Sequence, residues 1–160
     1  MNTNQLLFDA VMDGDIDTLD EHFDEEAHVA LRDDEGHTLL MLATDAGHSN
    51  IVRYLLDCGA HASDFMASCV TALHIASGSG DVDIARLLIE HGAEIDTGAD
   101  IDDLSALMLA VISDQPEMVR LLLDAGSDPD YQDRHGYNVD AYVNSTVVRA
   151  MIADHRAANA

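Results

Sequence analysis

The side chains best suited to chemistry in this chain are nine histidines, two cysteines and 31 acidic residues. Such side chains ligate metal ions and transfer protons. Their spacing favours neither role, since there is no Cys-x-x-Cys motif and no His-x-x-x-His motif. His28 and His61 share one register, but the next positions in that register are Glu94 and Asp128. We therefore expect no metal site and no cofactor.

Signatures of common enzyme classes are also missing. The sequence has no Gly-x-Gly-x-x-Gly, no phosphate-binding loop with its lysine and no nucleophile elbow. The paired acids Asp102 and Asp103 lie in a predicted loop, where a solvated charge is commoner than an acid–base pair. Cys58 and Cys69 are expected to be free thiols of a reducing compartment. We expect no catalytic activity, and an enzyme is the least favoured alternative.

The elements that would position these residues repeat along the chain. One apolar phrase recurs as TLLMLA, TALHIA and SALMLA at residues 38–43, 71–76 and 105–110, after intervals of 33 and then 34 residues. A second phrase follows each copy as IVRYLL, IARLLI and MVRLLL, and a glycine then closes each unit at Gly59, Gly92 and Gly126. A period of this length is typical of a solenoid, in which each unit buries its apolar face against its neighbours.

The phrases and their period resemble the ankyrin repeat, whose signature opens with Thr-Pro-Leu-His-x-Ala. Weaker copies at residues 5–23 and 133–155 resemble capping units. The resemblance implies an all-α solenoid of about five helix-turn-helix units with caps at both ends and no regular sheet. We expect one domain over residues 1–160, with units of approximately 1–32, 33–65, 66–99, 100–132 and 133–160.

The apolar spacing of each unit predicts two antiparallel helices. In one unit the first helix takes its stripe from Leu40, Leu42 and Ala43. The turns between paired helices contain Gly47, Gly80 and Asp114. Arg53, Arg86 and Arg120 each precede an acid by four residues, which predicts a ladder of exposed ion pairs.

The signature histidine is His74, and the resemblance implies that it bonds to Thr71 and links neighbouring units. Met41 and Met108 take its place in the adjacent units, so the seam between first helices should be more apolar there.

Charge is the compositional anomaly, because seven arginines and no lysine leave a formal net charge of −24. Twelve of the acids fall between Asp9 and Glu35. This field repels nucleic acid and anionic membranes, and it accelerates encounter with a basic protein. Two alternatives remain open, namely that acidity serves only solubility or that the chain mimics nucleic acid to block a DNA-binding protein.

In the ankyrin family the loop before each first helix projects as a hairpin finger, and the fingers and first helices together line a groove for a partner protein. Carried over to this sequence, the resemblance implies a protein-binding set of Asp34, Glu35, His37, Met66, Ser68, Val70, Ile101, Leu104, Arg134 and Tyr137. Apolar loop residues predict an apolar patch that consists of Val70, Ile101, Leu104 and Tyr137, joined by Phe65 and Met66. The turn glycine is present in the first and last fingers as Gly36 and Gly136, whereas Cys69 and Asp103 occupy the equivalent positions of the two middle fingers, so tight turns are not expected there.

These features predict a protein–protein interaction module. Two settings fit it equally, namely a regulator or inhibitor of a partner with a basic surface, which includes a toxin-neutralising protein, and a scaffold that only holds a partner. We expect that the protein binds neither nucleic acid nor membranes. We also expect that it is a monomer. The amino terminus lacks a positive segment followed by an apolar run, which favours a cytoplasmic location, and delivery into another cell as an effector stays open.

Overall fold

The computed structural model describes residues 2–99 and 102–159, in which ten α-helices dominate. Four helix pairs follow one another, and a short turn joins each pair. They are α1 (Thr3–Asp13) with α2 (Ile16–His22), α4 (Leu39–Asp45) with α5 (Ser49–Asp57), α6 (Ala72–Ser79) with α7 (Val82–Glu90), and α8 (Ala106–Ile112) with α9 (Pro116–Asp124). The short α3 (Glu25–His28) follows α2, and a 3-10 helix (Val139–Ala141) and α10 (Thr146–Ala158) follow α9.

The helices stack in two rows, as a solenoid requires. The first helices α1, α4, α6 and α8 contact one another in that order, and α5, α7, α9 and α10 form the second row. Ala43, Ala76 and Ala110 are 0% exposed at the seams of the first row, where a small side chain lets neighbouring helices approach closely. The predicted all-α solenoid is confirmed. None of the described helices is long and apolar enough to span a bilayer.

Local sequence signals set where the helices begin and end. The hydroxyl oxygens of Thr38 and Ser105 accept hydrogen bonds from the backbone N–H groups of Met41 and Met108, at 3.2 and 3.3 Å, and so cap α4 and α8. After the second helices, the closing glycines adopt the predicted left-handed backbone. The turn residues between paired helices do the same, and among these Asp114 has a φ of 50°.

Short antiparallel contacts occur at the base of the hairpin loops. Strand β1 (Gly98–Ala99) pairs with β2 (Leu104–Ser105), and single bridges join Arg32 to Thr38 and Phe65 to Thr71. The prediction of no regular sheet is therefore wrong at one loop. The reason is local: the residues that flank this loop are extended and pair across its base.

The predicted ladder of arginine–acid pairs is also wrong. Among the described residues, Arg53, Arg86 and Arg120 form no such ion pair, and Asp57 Oδ1 instead lies 3.4 Å from His91 Nε2 of the next unit. An exposed pair at helical spacing gains little Coulomb energy and immobilises two long side chains, so spacing alone does not ensure the contact.

Candidate functional site

Four hairpin loops precede the first helices and the 3-10 helix, and we call them fingers 1 to 4 (residues 32–38, 65–71, 98–105 and 132–138). Between fingers 2 and 3 lies an apolar cavity of about 210 Å³. Its lining combines fingers and first helices and consists of Val70, His74, Ile75, Ala99, Leu104 and Leu109. We call the surface around this cavity the groove. Because both kinds of element contribute, the fingers form its wall and the first helices its floor.

The floor of the groove is a column of half-buried aliphatic residues. Leu42, Ile75 and Leu109 occupy equivalent positions on α4, α6 and α8, and each keeps part of its side chain exposed. Sequence reasoning placed Leu42 in the apolar stripe of its helix and did not single out Ile75 or Leu109. The signal that could have found them is the recurrence of an aliphatic residue immediately after Met41, His74 and Met108, the residues that face the seam.

Finger 2 keeps its tight turn although a cysteine stands where fingers 1 and 4 have a glycine. Cys69 and Asp103 both adopt a φ of 60°, in the left-handed region that favours glycine. In finger 2, Met66 N–H donates to Val70 O at 3.0 Å and Cys69 N–H donates to Met66 O at 2.9 Å. Finger 1 has the same pair of bonds, between Asp33 and residues 36 and 37. The expectation that finger 2 loses its tight turn is therefore wrong, whereas the loop of finger 3 includes residues 100 and 101, which lie outside the described residues.

A buried histidine joins fingers 2 and 3 behind the cavity. His74 is 3% exposed, and its Nδ1 accepts a hydrogen bond from Thr71 N–H at 3.2 Å. Its Nε2 lies 2.9 Å from Thr97 O of the next unit. Burial disfavours the charged imidazole and lowers the pKa of His74, although the carbonyls of Thr97 and Leu104 partly oppose this. The implied link between units through His74 is present.

The other fingers are joined by polar contacts as well. Arg32 Nη1 donates to Phe65 O at 3.0 Å, between fingers 1 and 2. Arg134 N–H donates to Asp102 O at 3.0 Å, and His135 Nε2 lies 3.3 Å from the Asp102 carboxylate, between fingers 3 and 4. Each finger is thus attached to the next, which restricts the conformations of the groove wall before any partner binds.

Finger 1 presents its carboxylates outward. Asp34 and Glu35 are exposed at its tip. Asp33 is different, because its carboxylate accepts hydrogen bonds from Glu35 N–H and His37 N–H at 3.0 and 2.8 Å and so closes the turn. Partial burial opposes this effect, but the bonds from His37 and Glu35 lower the pKa of Asp33. His37 is half-buried, with Nδ1 3.0 Å from Asp33 Oδ2.

The remaining candidate residues lie on different surfaces. Val70 and Leu104 line the groove cavity, whereas Met66 is half-buried against the core. Ser68 and Arg134 are exposed, and Tyr137 is 57% exposed on finger 4. Ile101 lies outside the described residues. Phe65, 61% exposed, does not line the groove and faces a cleft on the other side of finger 2.

Titratable groups elsewhere form no metal-binding arrangement within residues 2–99 and 102–159, where no three His, Cys, Asp or Glu side chains are placed to hold an ion. Cys58 is a half-buried free thiol, and Cys69 is an exposed one. The electrostatics of the site are therefore those of carboxylates around an apolar cavity.

Comparison with known proteins agrees with this geometry. The family model described as "Ankyrin repeats (3 copies)" matches residues 7–99 and 63–133. The chain is 30% identical over 132 residues to human BCL-6 corepressor-like protein 1, which covers 82% of this chain and 7% of that protein. It is 32% identical over 133 residues to a putative ankyrin repeat-containing protein of Treponema pallidum (82% of this chain, 44% of that protein). It is 31% identical over 122 residues to mouse ankyrin repeat and SOCS box protein 6 (74% and 29%). The chain thus spans less than half the length of each of these relatives.

Proposed function

Because the chain belongs to the ankyrin-repeat family, whose repeats mediate protein–protein interaction, we propose that it binds one partner protein in the groove between fingers 2 and 3. The bound partner is regulated or inhibited because the groove covers its active surface. The module acts as a monomer in the cytoplasm and has no chemistry of its own. A fold identifies a frame for binding, so the partner must be inferred from the site.

The observation that carries this proposal is the apolar cavity of about 210 Å³ lined by Val70, Ile75, Leu104 and Leu109. Aliphatic side chains that stay partly exposed on ordered elements gain free energy when a partner covers them. Binding energy in interfaces concentrates in such central apolar pockets, surrounded by a polar rim. Here the rim is supplied by the exposed fingertips, including Asp34, Glu35 and Ser68.

The attachment of the fingers to one another supports the same function. A groove whose walls are held by Arg32, His74 and Asp102 loses little conformational entropy on binding. The formal net charge of the whole chain, −24, would also speed its encounter with a basic partner and discourage binding of acidic proteins. No feature of the groove favours the alternative of nucleic-acid mimicry, since its cavity is apolar.

Site-specific crosslinking in the native cell extract tests the proposal. A photoreactive amino acid replaces Ser68 on finger 2 in one variant and Arg86 on α7 in a matched control, since both positions are exposed. We expect one protein to crosslink from position 68, to be displaced by excess unlabelled chain, and to be absent from position 86. Capture of that protein from position 86 alone would move the binding site to the second helices.

A further inference from the structure

A second cavity of about 340 Å³ lies on the opposite face of finger 2 from the groove and also extends to Thr97 and Gly98 at the start of finger 3. Cys69 lines this cleft, whereas the next residue, Val70, lines the groove cavity. The complete lining of the cleft is Ser63, Phe65, Cys69, Thr71, Glu94, Thr97 and Gly98. Finger 2 therefore separates the cleft from the groove cavity. A partner segment that passes over the turn of this finger contacts both pockets.

The lining of the cleft combines one aromatic face with one carboxylate. Phe65 is 61% exposed although it is a large apolar side chain. Glu94 is the charged residue of the lining and is itself exposed, and the described lining contributes no cationic side chain. The backbone of Glu94 is held in place, because Glu94 N–H donates to Ser63 Oγ at 2.9 Å and Ser63 Oγ donates to Gly92 O at 3.4 Å.

We infer that this cleft receives a lysine or arginine side chain of the partner protein, beside the apolar side chain that enters the groove. The aliphatic stem of such a residue packs on an aromatic ring, and its cationic head reaches a carboxylate at the rim. Charge complementarity selects this occupant over a neutral one, since the lining contributes the carboxylate of Glu94 and the chain as a whole carries a formal net charge of −24. The chain has no lysine of its own to fill it.

This inference rests on the proposed function and specifies its partner. The segment of the partner that this chain binds carries two anchor residues. An apolar residue enters the groove cavity beside Leu104 and Leu109, and a basic residue enters the cleft beside Phe65 and Glu94. Cys69 and Thr71 line the cleft and Val70, between them, lines the groove cavity, so the basic and apolar residues of the segment contact opposite faces of finger 2.

Selection of randomised twelve-residue peptides displayed on phage tests the inference without knowledge of the partner. The probe is the strongest enriched peptide, synthesised and titrated into the full chain. We expect a basic residue at a fixed distance from an apolar one. Glu94→Gln and Phe65→Ala should each weaken its binding by about 3- to 10-fold, in the range of a partly exposed charge pair or cation–π contact. Glu90→Gln on α7 removes an equal charge outside the cleft and should change affinity by less than about 2-fold.

A double-mutant cycle identifies the contact. Replacing the basic residue of the peptide by norleucine should weaken binding to the parent and have little further effect on the Glu94→Gln variant. A norleucine peptide that binds the parent as tightly as the lysine peptide overturns the basic occupant while leaving the groove intact. If no peptide is enriched, or if its affinity is insensitive to Leu104→Ala, the proposed function fails together with the inference.

Site-resolved labelling provides an independent readout. Cys69 lines the cleft and is exposed, whereas Cys58 is half-buried elsewhere. The peptide should slow modification of Cys69 by N-ethylmaleimide several-fold and leave Cys58 unchanged, as measured by mass spectrometry of the digested protein. Equal labelling rates at Cys69 with and without a saturating peptide would show that the cleft stays empty.

Discussion

The Nε2 atom of His74 lies 2.9 Å from the carbonyl oxygen of Thr97, across the boundary between two units of the stack. At the other side of the ring, Nδ1 accepts the backbone N–H of Thr71. A ring nitrogen that accepts cannot carry a proton, so the geometry assigns the proton to Nε2, which donates to Thr97. The neutral imidazole therefore serves both the start of α6 and the attachment of finger 3.

This geometry predicts that stability falls as His74 becomes protonated. Burial lowers its pKa in the folded chain below the unfolded value of 6.5, so the unfolded chain binds the extra proton first. The stabilisation is complete above pH 6.5 and is lost as the pH falls from there through the lowered folded pKa. Urea unfolding at a series of pH values between 7.5 and 5.5 should show this decline.

The matched control is His74→Gln, which removes the titrating group. The variant should be less stable than the parent at pH 7.5 and should lose less stability on acidification, because the remaining groups titrate equally in both proteins. Parallel stability curves for parent and variant would contradict the assignment of a neutral His74.

Much of the fold could be predicted from sequence because its signals are local. Gly59, Gly92 and Gly126 follow apolar phrases and adopt the left-handed backbone expected at helix ends. The residues of the groove floor are harder to predict from the sequence. An aliphatic residue such as Leu109 fits an apolar stripe whether it meets the core or the solvent, and a first helix is flanked by two neighbours and its own second helix, which leaves one side open. Spacing alone does not show which side that is.

A second prediction concerns the groove floor. Leu109→Ala should weaken partner binding by about 1–3 kcal/mol, as truncation of a central apolar contact does. The matched control is Ile112→Ala on the same helix, which is 43% exposed and outside the cavity lining, and it should leave affinity unchanged. Calorimetric titration with the partner that the crosslinking experiment identifies measures the affinity of both variants. Equal affinity losses in the two variants would indicate a general effect on α8.

The fingers give a third prediction. Leu104→Ala and Tyr137→Ala should each weaken binding by about 1–3 kcal/mol if the partner extends from the cavity to finger 4. Tyr137 is 57% exposed, so its truncation should leave the thermal midpoint nearly unchanged. A loss confined to Leu104→Ala would restrict the contact to fingers 2 and 3.

The acidic tip of finger 1 gives a fourth prediction. Asp34→Asn with Glu35→Gln removes two exposed charges and keeps Asp33, whose carboxylate closes the turn. If these charges steer a basic partner, the association rate should fall about 3-fold at low salt and converge on the parent at high salt. Stopped-flow measurements at several ionic strengths provide the test. Identical rates throughout would assign the acidity to solubility.

The last prediction contrasts the two left-handed residues that replace finger glycines. A non-glycine side chain in this conformation costs about 1 kcal/mol, so Cys69→Gly should raise the free energy of unfolding by up to about that amount. Asp103 has the same φ of 60°, but its carboxylate packs against Gly98 and interacts with the hydroxyl of Tyr131. Burial, and then the Asp103 charge, raises the pKa of that Tyr131 hydroxyl. Asp103→Gly should therefore lower stability or leave it unchanged, because the lost contacts offset the relief of strain. Urea unfolding of both variants and of the control Cys69→Ala, which keeps the strain, measures the contrast. A gain in Cys69→Ala equal to that in Cys69→Gly would trace the effect to the thiol rather than to the backbone.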